Sequence, residues 1–255
     1  MKYIDLNCDM GEIPEALSDG SQESLMRQIS SANVACGGHA GNPEMMRETV
    51  EQAIRCGVSV GAHPGYEDRA NFGRTELQLA SNEISSLVYR QILALQKIAE
   101  QCETTIHHVK AHGALYNQAA RNPQVARAIA EGVKRWNSGI ILVGLAGSIM
   151  LDEFRGAGFP VAAEAFADRR YEPDGHLRSR KFADALLRVP ADAAEQALRI
   201  VEHGKVIASD GRPVPLQADT VCIHGDTLGA PEIAAAVRRR LTEAGITIKP
   251  LALGN

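Results

Sequence analysis

Tyr3-Ile4-Asp5-Leu6-Asn7-Cys8-Asp9 opens the chain as a strict alternation. Ile4, Leu6 and Cys8 fall on one side, and Asp5, Asn7 and Asp9 on the other. A period of two marks a β-strand with one apolar and one polar face. Five later stretches repeat the theme. Asn33–His39, Ser59–His63, His108–His112, Ala162–Glu164 and Thr220–Asp226 each end in polar or ionisable side chains where a strand should pass into a loop. Helical patterns separate most of them. Strand–helix alternation implies a parallel sheet in an α/β fold. Polar residues delivered to the C-terminal ends of successive strands are how a (β/α) barrel assembles an active site. In such a barrel the apolar set of Tyr3–Cys8 faces the helices and the polar set faces the lumen.

The remaining punctuation fits this reading. Asn42 caps a helix that Pro43 and Glu44 begin, and Gly57 ends it. Val58–Ala62 is a strand stopped by His63-Pro64. Ser81 caps a long amphipathic helix to about Cys102. Strands follow at 104–111, 139–143, 161–164 and 220–223, with helices at 113–120, 123–137, 191–203 and 231–244. Residues 246–248 suggest a weak eighth strand. Tyr66–Leu79 and Phe166–Arg188 read as long loops, the second placed to serve an active site. No repeat or linker interrupts the pattern, so residues 1–255 read as one barrel domain.

Composition removes several function classes. A net charge of −4 without a long run of one sign argues against nucleic acid or an anionic membrane as partner. Aromatic residues make up only 4%, too few for a base-stacking surface. Arg238-Arg239-Arg240 sits near a helix end, where cations suit the macrodipole. The five cysteines are odd in number and form no CxxC pair. With no signal peptide in view, they read as reduced thiols of a cytoplasmic protein. No apolar run is long enough to span a bilayer.

Four of the eight histidines, His39, His63, His112 and His224, fall at strand ends. Asp9, His63 and His112 are in phase with the lumen and form the best trio for a divalent metal that acidifies water or polarises a carbonyl. His39, set among glycines in a mobile loop, is the poorer ligand candidate. His107 and His108 lie on opposite faces of one strand, and His176 and His203 read as solvated. Lys110 shares the face of His108 and His112. A lysine in a lumen needs a carboxylate, with Asp9 first and Glu164 second. Its role is then an anion clamp or a structural ion pair. No phosphate-binding P-loop or dinucleotide glycine motif occurs, and no serine-hydrolase elbow. The turn Gly225–Pro231 reads as an ordinary β–α turn, and Cys36 and Cys222 as small core residues.

Six segments now carry a resemblance. They are Asp5–Glu12, Asn33–Gly41, Gly61–Tyr66, Val109–Asn117, Glu164–Tyr171 and His224–Thr227. In order and content they closely resemble the LamB/YcsF family over about Tyr3 to Leu251, with Ala111 standing where the family pattern has Pro. The resemblance implies an irregular seven-stranded TIM-like barrel, similar to the polysaccharide deacetylase and glycoside hydrolase barrels. It implies an ATP-dependent 5-oxoprolinase, which opens 5-oxo-L-proline to L-glutamate in a complex with subunits B and C. ATP would then be bound mainly by those partners. On this basis Asp9, His63, Lys110 and His112 are expected to be catalytic. Asn7, His39, Glu164, Arg169, Arg170 and His224 are expected to contact substrate. Two rival readings remain: a metal-dependent deacetylase or amidohydrolase acting alone, and a lactam-binding subunit without catalysis.

Overall fold

In the computed structural model, which describes residues 2–227 and 229–252, the strand–helix alternation closes on itself. β1 (Tyr3–Met10) leads through α1 (Pro14–Ser18) and α2 (Ser21–Met26) to β2 (Ser31–Ala35). α3 (Pro43–Cys56) precedes β3 (Ser59–His63), and α4 (Ser81–Gln101) precedes β4 (Ile106–Lys110). The pair α5 (Gly113–Ala119) and α6 (Pro123–Lys134) leads to β5 (Ile141–Leu145). α7 (Ile149–Gly156) then leads to β6 (Val161–Phe166). Beyond the long loop come α8 (Pro190–His203), a hairpin of β7 (Lys205–Ile207) and β8 (Pro213–Pro215), then β9 (Thr220–Ile223), α9 (Ala230–Glu243) and β10 (Thr247–Ile248).

Seven parallel strands form the barrel in the order β1-β2-β3-β4-β5-β6-β9, and β9 pairs back onto β1 through Leu6↔Val221 and Cys8↔Ile223. The expected eighth strand is not a stave. β10 pairs only with Tyr3 and Ile4 at the start of β1. The main apolar core lies between barrel and helices, where Ile4, Leu6, Cys8 and Met10 meet residues such as Leu25, Val50 and Ile233. The lumen carries the opposite phase. A small apolar group of Ile141, Val143 and Ala162, with Leu251 against it, fills part of the interior. The rest is polar.

At the base of the polar part, Asp5 ties three strands together. Its carboxylate accepts from Ser30 and Ser31 hydroxyls at 2.7 Å each and from Thr220 Oγ1. Burial raises the Asp5 pKa, and the hydroxyl donors work against that rise. Gly61 is glycine for lack of space: a Cβ there would lie 2.1 Å from His108 Nε2.

Further details depart from the sequence reading, α1 (Pro14–Ser18) among them. α4 begins after Ala80, whose amide donates to Glu83 Oε2 at 2.7 Å, one residue before the expected Ser81 cap. α7 has no counterpart in that reading, because eight residues give too few turns to establish a period. The β7–β8 hairpin has none either, since three-residue strands containing Pro213 and Pro215 lack a strand signature. Leu228, inside the Gly225–Pro231 turn, lies outside the described residues.

Candidate active site

The C-terminal mouth of the barrel opens into a cavity of about 730 Å³. Below it lies a continuous polar network built from alternate residues of β1, β2, β4, β6 and β9. His108 Nε2 donates to Asn33 Oδ1 at 2.7 Å, which fixes its tautomer because an amide oxygen only accepts. Asn33 Nδ2 is bonded to Asn7 Oδ1 at 2.7 Å and Asp9 Oδ1 at 2.8 Å. Asn7 Nδ2 reaches Glu164 Oε1 at 3.0 Å and Thr220 Oγ1 at 2.7 Å. Burial drives the His108 pKa down to about 3, so this ring is a neutral structural element.

Lys110 rises through this network. Its Nζ lies 2.9 Å from both Asp9 Oδ1 and Glu164 Oε1, 3.3 Å from Asn7 Oδ1 and 3.2 Å from Cys222 Sγ. Both carboxylates expected as partners are therefore engaged. Burial alone would strip the proton from this amine, but Asp9, Cys222 and Glu164 reverse that and hold its pKa well above the ordinary value. Burial alone would likewise raise Asp9, yet His63 and Lys110 together hold it well below the usual carboxylate range. Lys110 is thus a cation and Asp9 an anion at neutral pH. Cys222 is the small core residue its size suggests, and its register opposite Asn7 and Phe166 brings its thiol beside Lys110.

A second group sits on the adjoining wall. β1 ends at Met10, and Gly11, at φ +72°, turns the chain so that Glu12 comes back over the mouth. Glu12 Oε1 lies 2.7 Å from His39 Nε2, 3.2 Å from His112 Nδ1 and 3.8 Å from His63 Nε2. His63 Nδ1 donates to the Lys110 carbonyl at 2.8 Å, and His112 Nε2 donates to the Phe72 carbonyl at 2.9 Å. Carbonyls accept only, so each of these two ring nitrogens carries a proton. His63 Nε2 and His112 Nδ1, the remaining ring nitrogens, face each other at 2.9 Å beside the Glu12 oxygen. Converging acceptors repel unless a proton or a metal cation lies among them. Burial and the Asp9 charge push the Glu12 pKa up to about 8.

This donor set fits a divalent ion of the zinc type. Glu12, His39, His63 and His112 each offer a ligand atom, all within 4.8 Å of one another. The backbone carbonyls behind His63 and His112 are the outer partners that metal-bound imidazoles use. His39 is less apt as a ligand. Its Nδ1 is buried without a partner, which suits a ring that donates from Nε2 to Glu12. His39 is nevertheless no mobile loop residue. It is buried and stacked on His112, with ring centroids 3.6 Å apart. Asp9 differs from its expected place in the trio. It approaches His63 Nε2 at 3.3 Å but spends its other oxygen on Lys110 and Asn33.

Of the expected residues, Asp9, His63, Lys110, His112, Arg169 and His224 line the cavity. Asn7, Glu164 and His39 stand behind this lining and hold it in place. Arg170 does not line it; its amide bonds the Ala185 carbonyl instead. Arg169 is buried, donates to the Arg178 carbonyl at 2.7 Å and has no carboxylate within ion-pair distance among the described residues. Burial and the neighbouring Arg180 lower its pKa to about 10. An under-compensated guanidinium in a cavity wall is a site for an anion. His176, read as solvated, lies on the rim with Arg74, Arg180 and Asp226. Strand phase does not single out Glu12, although it follows Gly11 two residues beyond the first strand.

A closed parallel barrel whose C-terminal mouth joins a carboxylate–imidazole cluster to a buried lysine is the architecture of a barrel enzyme. The chain belongs to the LamB/YcsF family, whose profile matches residues 4–254. It is 52% identical over 249 residues to the A subunit of 5-oxoprolinase from Chloroflexus aggregans, covering 98% of this chain and 99% of that one. The crystal structure of the lactam utilization protein from Thermus thermophilus superposes with a TM-score of 0.91 at 43% identity, covering 98% and 100% of the two chains. A family 4 carbohydrate esterase from Streptomyces lividans shares the fold, with a TM-score of 0.52 at 13% identity over 98% and 93% of the chains.

Proposed function

We propose that this chain is the ring-opening subunit of an ATP-dependent 5-oxoprolinase and acts with two partners, subunits B and C, in the cytoplasm. The observation that carries the reading is the pairing of a charged Lys110 with the Glu12–His63–His112 cluster on one cavity, next to an arginine lacking a carboxylate partner. The names of its relatives point to the same cyclic amide.

The chemistry makes ATP useful. A five-membered lactam is an unstrained amide, so its carbonyl resists water and its nitrogen leaves poorly. Phosphorylation of the lactam oxygen by the partner subunits gives a far better electrophile. Arg169 holds the substrate carboxylate. Lys110 neutralises negative charge gathering on the oxygen in the transition state, its own position fixed beforehand by Asp9, Asn7 and Glu164. Asp9, ionised at neutral pH, takes the proton of the attacking water, while His63 and His112 hold that water against the carbonyl carbon. A divalent ion held by Glu12, His63 and His112 would supply added acidity to that water and polarise the carbonyl.

The test is glutamate release from 5-oxo-L-proline by the purified chain, alone and with its partners, with and without ATP and zinc. The reading expects neither lactam-dependent ATP hydrolysis nor glutamate from the chain alone, and both from the full complex. Hydrolysis of N-acyl sugars or simple amides by the zinc-supplemented chain without ATP would instead establish a self-sufficient amidohydrolase. That alternative rests on the same imidazole–carboxylate cluster.

A further inference from the structure

One buried acid–base pair lies outside the machinery described so far. Asp168 follows β6 and is fully buried. Its Oδ1 accepts from His224 Nδ1 at 2.9 Å, and its Oδ2 accepts from the His224 amide at 3.1 Å and from Thr227 Oγ1 at 3.4 Å. Burial alone would raise this carboxyl, yet the His224 ring and its hydrogen bonds keep it below the ordinary range. The imidazole packs flat on Phe166, with ring centroids 5.2 Å apart and planes 21° from parallel. Among the described residues its Nε2 has no hydrogen-bond partner, and the residue lines the cavity. An ionised carboxylate on Nδ1 fixes the tautomer and stabilises the imidazolium, so that Nε2 can exchange a proton with whatever occupies the cavity.

We infer that His224, oriented by Asp168, is the acid that protonates the ring nitrogen, and that this proton decides whether ATP consumption yields glutamate. This rests on the proposed lactam chemistry. Addition of water to a phosphorylated lactam gives a tetrahedral carbon bearing a hydroxyl, the phosphoryl oxygen and the ring nitrogen. Two bonds to it can break. If His224 Nε2–H gives its proton to nitrogen, the hydroxyl releases its own proton to Asp9 or solvent and becomes the carbonyl, and the C–N bond breaks with its electron pair going to that nitrogen. The ring opens to an amine and an acyl phosphate, and a second water splits the acyl phosphate into glutamate and phosphate. His224 is left neutral and regains its proton from solvent. Without that proton the amide nitrogen is the worse leaving group. The C–O bond to the phosphoryl group then breaks, phosphate departs, and the lactam is regenerated. ATP has been spent and no ring opened. Asp168 is a positioning residue in this scheme, and His224 is catalytic.

The experiment uses the reconstituted complex with 5-oxo-L-proline and ATP, measuring ADP and glutamate in the same samples. His224→Gln and His224→Asn are compared with wild type, and only variants that match wild type in melting temperature and partner binding are scored. Asp168→Asn keeps the imidazole but removes its fixed acceptor and serves as a third probe. Loss of a positioned acid typically removes a factor of about 10²–10⁴. Glutamate formation should therefore fall by roughly a hundredfold or more, with lactam-dependent ADP formation retained, so the ADP-to-glutamate ratio rises well above the wild-type value. An unchanged ratio overturns the inference, whether both products persist or both fall together. A wild-type complex that makes no glutamate at all would instead remove the ring-opening function on which the scheme rests.

Discussion

Replacing Lys110 by Met removes a cation that two carboxylates share. Lys110 Nζ is 2.9 Å from Asp9 and 2.9 Å from Glu164, with all three side chains buried or nearly so. Met matches the stem but leaves both acids without their counter-charge. Removing one partner of a buried pair typically costs about 3–5 kcal/mol. An upper limit per carboxylate comes from protonation: neutralising an acid of ordinary pKa near 4 at pH 7 takes about 4 kcal/mol. In a chain of this size about 1 kcal/mol corresponds to about 2–4 °C. The variant should therefore melt about 6–20 °C below wild type at pH 7. The sign of the pH dependence follows from the two proteins separately. Wild-type Asp9 is held below its unfolded value, so its contribution is present at neutral pH and is lost as pH falls through its folded pKa. In the variant the stranded acids are raised, so stability is greatest in acid and is lost as pH rises. The gap should narrow between pH 7 and pH 5, where neutralising each acid takes only about 1.4 kcal/mol. Melting curves at the two pH values read this directly. A gap below about 2 °C, or one independent of pH, would refute the buried-charge account. In the complex, loss of the oxyanion partner should lower glutamate turnover roughly a hundredfold, and near-normal turnover in a folded variant would take Lys110 off the catalytic path.

Other perturbations separate structural from catalytic parts. Gly61→Ala should destabilise the barrel by about 1–3 kcal/mol through a clash with the His108 ring, measurable by urea titration; wild-type stability would show that the ring has room to move. Asp5→Leu should strand three buried hydroxyls and cost about 3 kcal/mol or more, while Asp5→Asn should cost less. Equal losses in the two would mean that an amide oxygen cannot serve these hydroxyls and that the site needs the full carboxylate. Zinc should raise the melting temperature of metal-stripped wild type at one ion per chain, as counted by calorimetry. Glu12→Gln should weaken that binding at least tenfold, and undiminished affinity would place the ion elsewhere.

Much of this site can be read from alternation alone. Asp5, Asn7 and Asp9 reach the lumen because a strand's period is two, and Lys110 meets the acids expected for it by the same rule. What escapes is what the period does not encode. Glu12 enters the site only because Gly11 reverses the chain after β1, so its place depends on a turn rather than on strand phase. Glycine neighbours in sequence suggest mobility for His39, but it is Gly65 and Gly73, distant along the chain, that leave room for its ring against His112. Size alone assigns Cys222 to the core, where it is buried, but only its register shows its thiol beside Lys110. The Asp168–His224 contact joins residues from different strand ends, and only closure of β9 between β6 and β1 brings them together.

The central claim is that this barrel opens the ring of a lactam that its partners activate with ATP. The most direct measurement is glutamate production by subunits B and C with ATP and 5-oxo-L-proline, before and after this chain is added. The account predicts no glutamate before addition, prompt formation afterwards, and formation roughly a hundredfold slower when the Lys110→Met chain is added at the same concentration. Full glutamate production by the partners without this chain would contradict it.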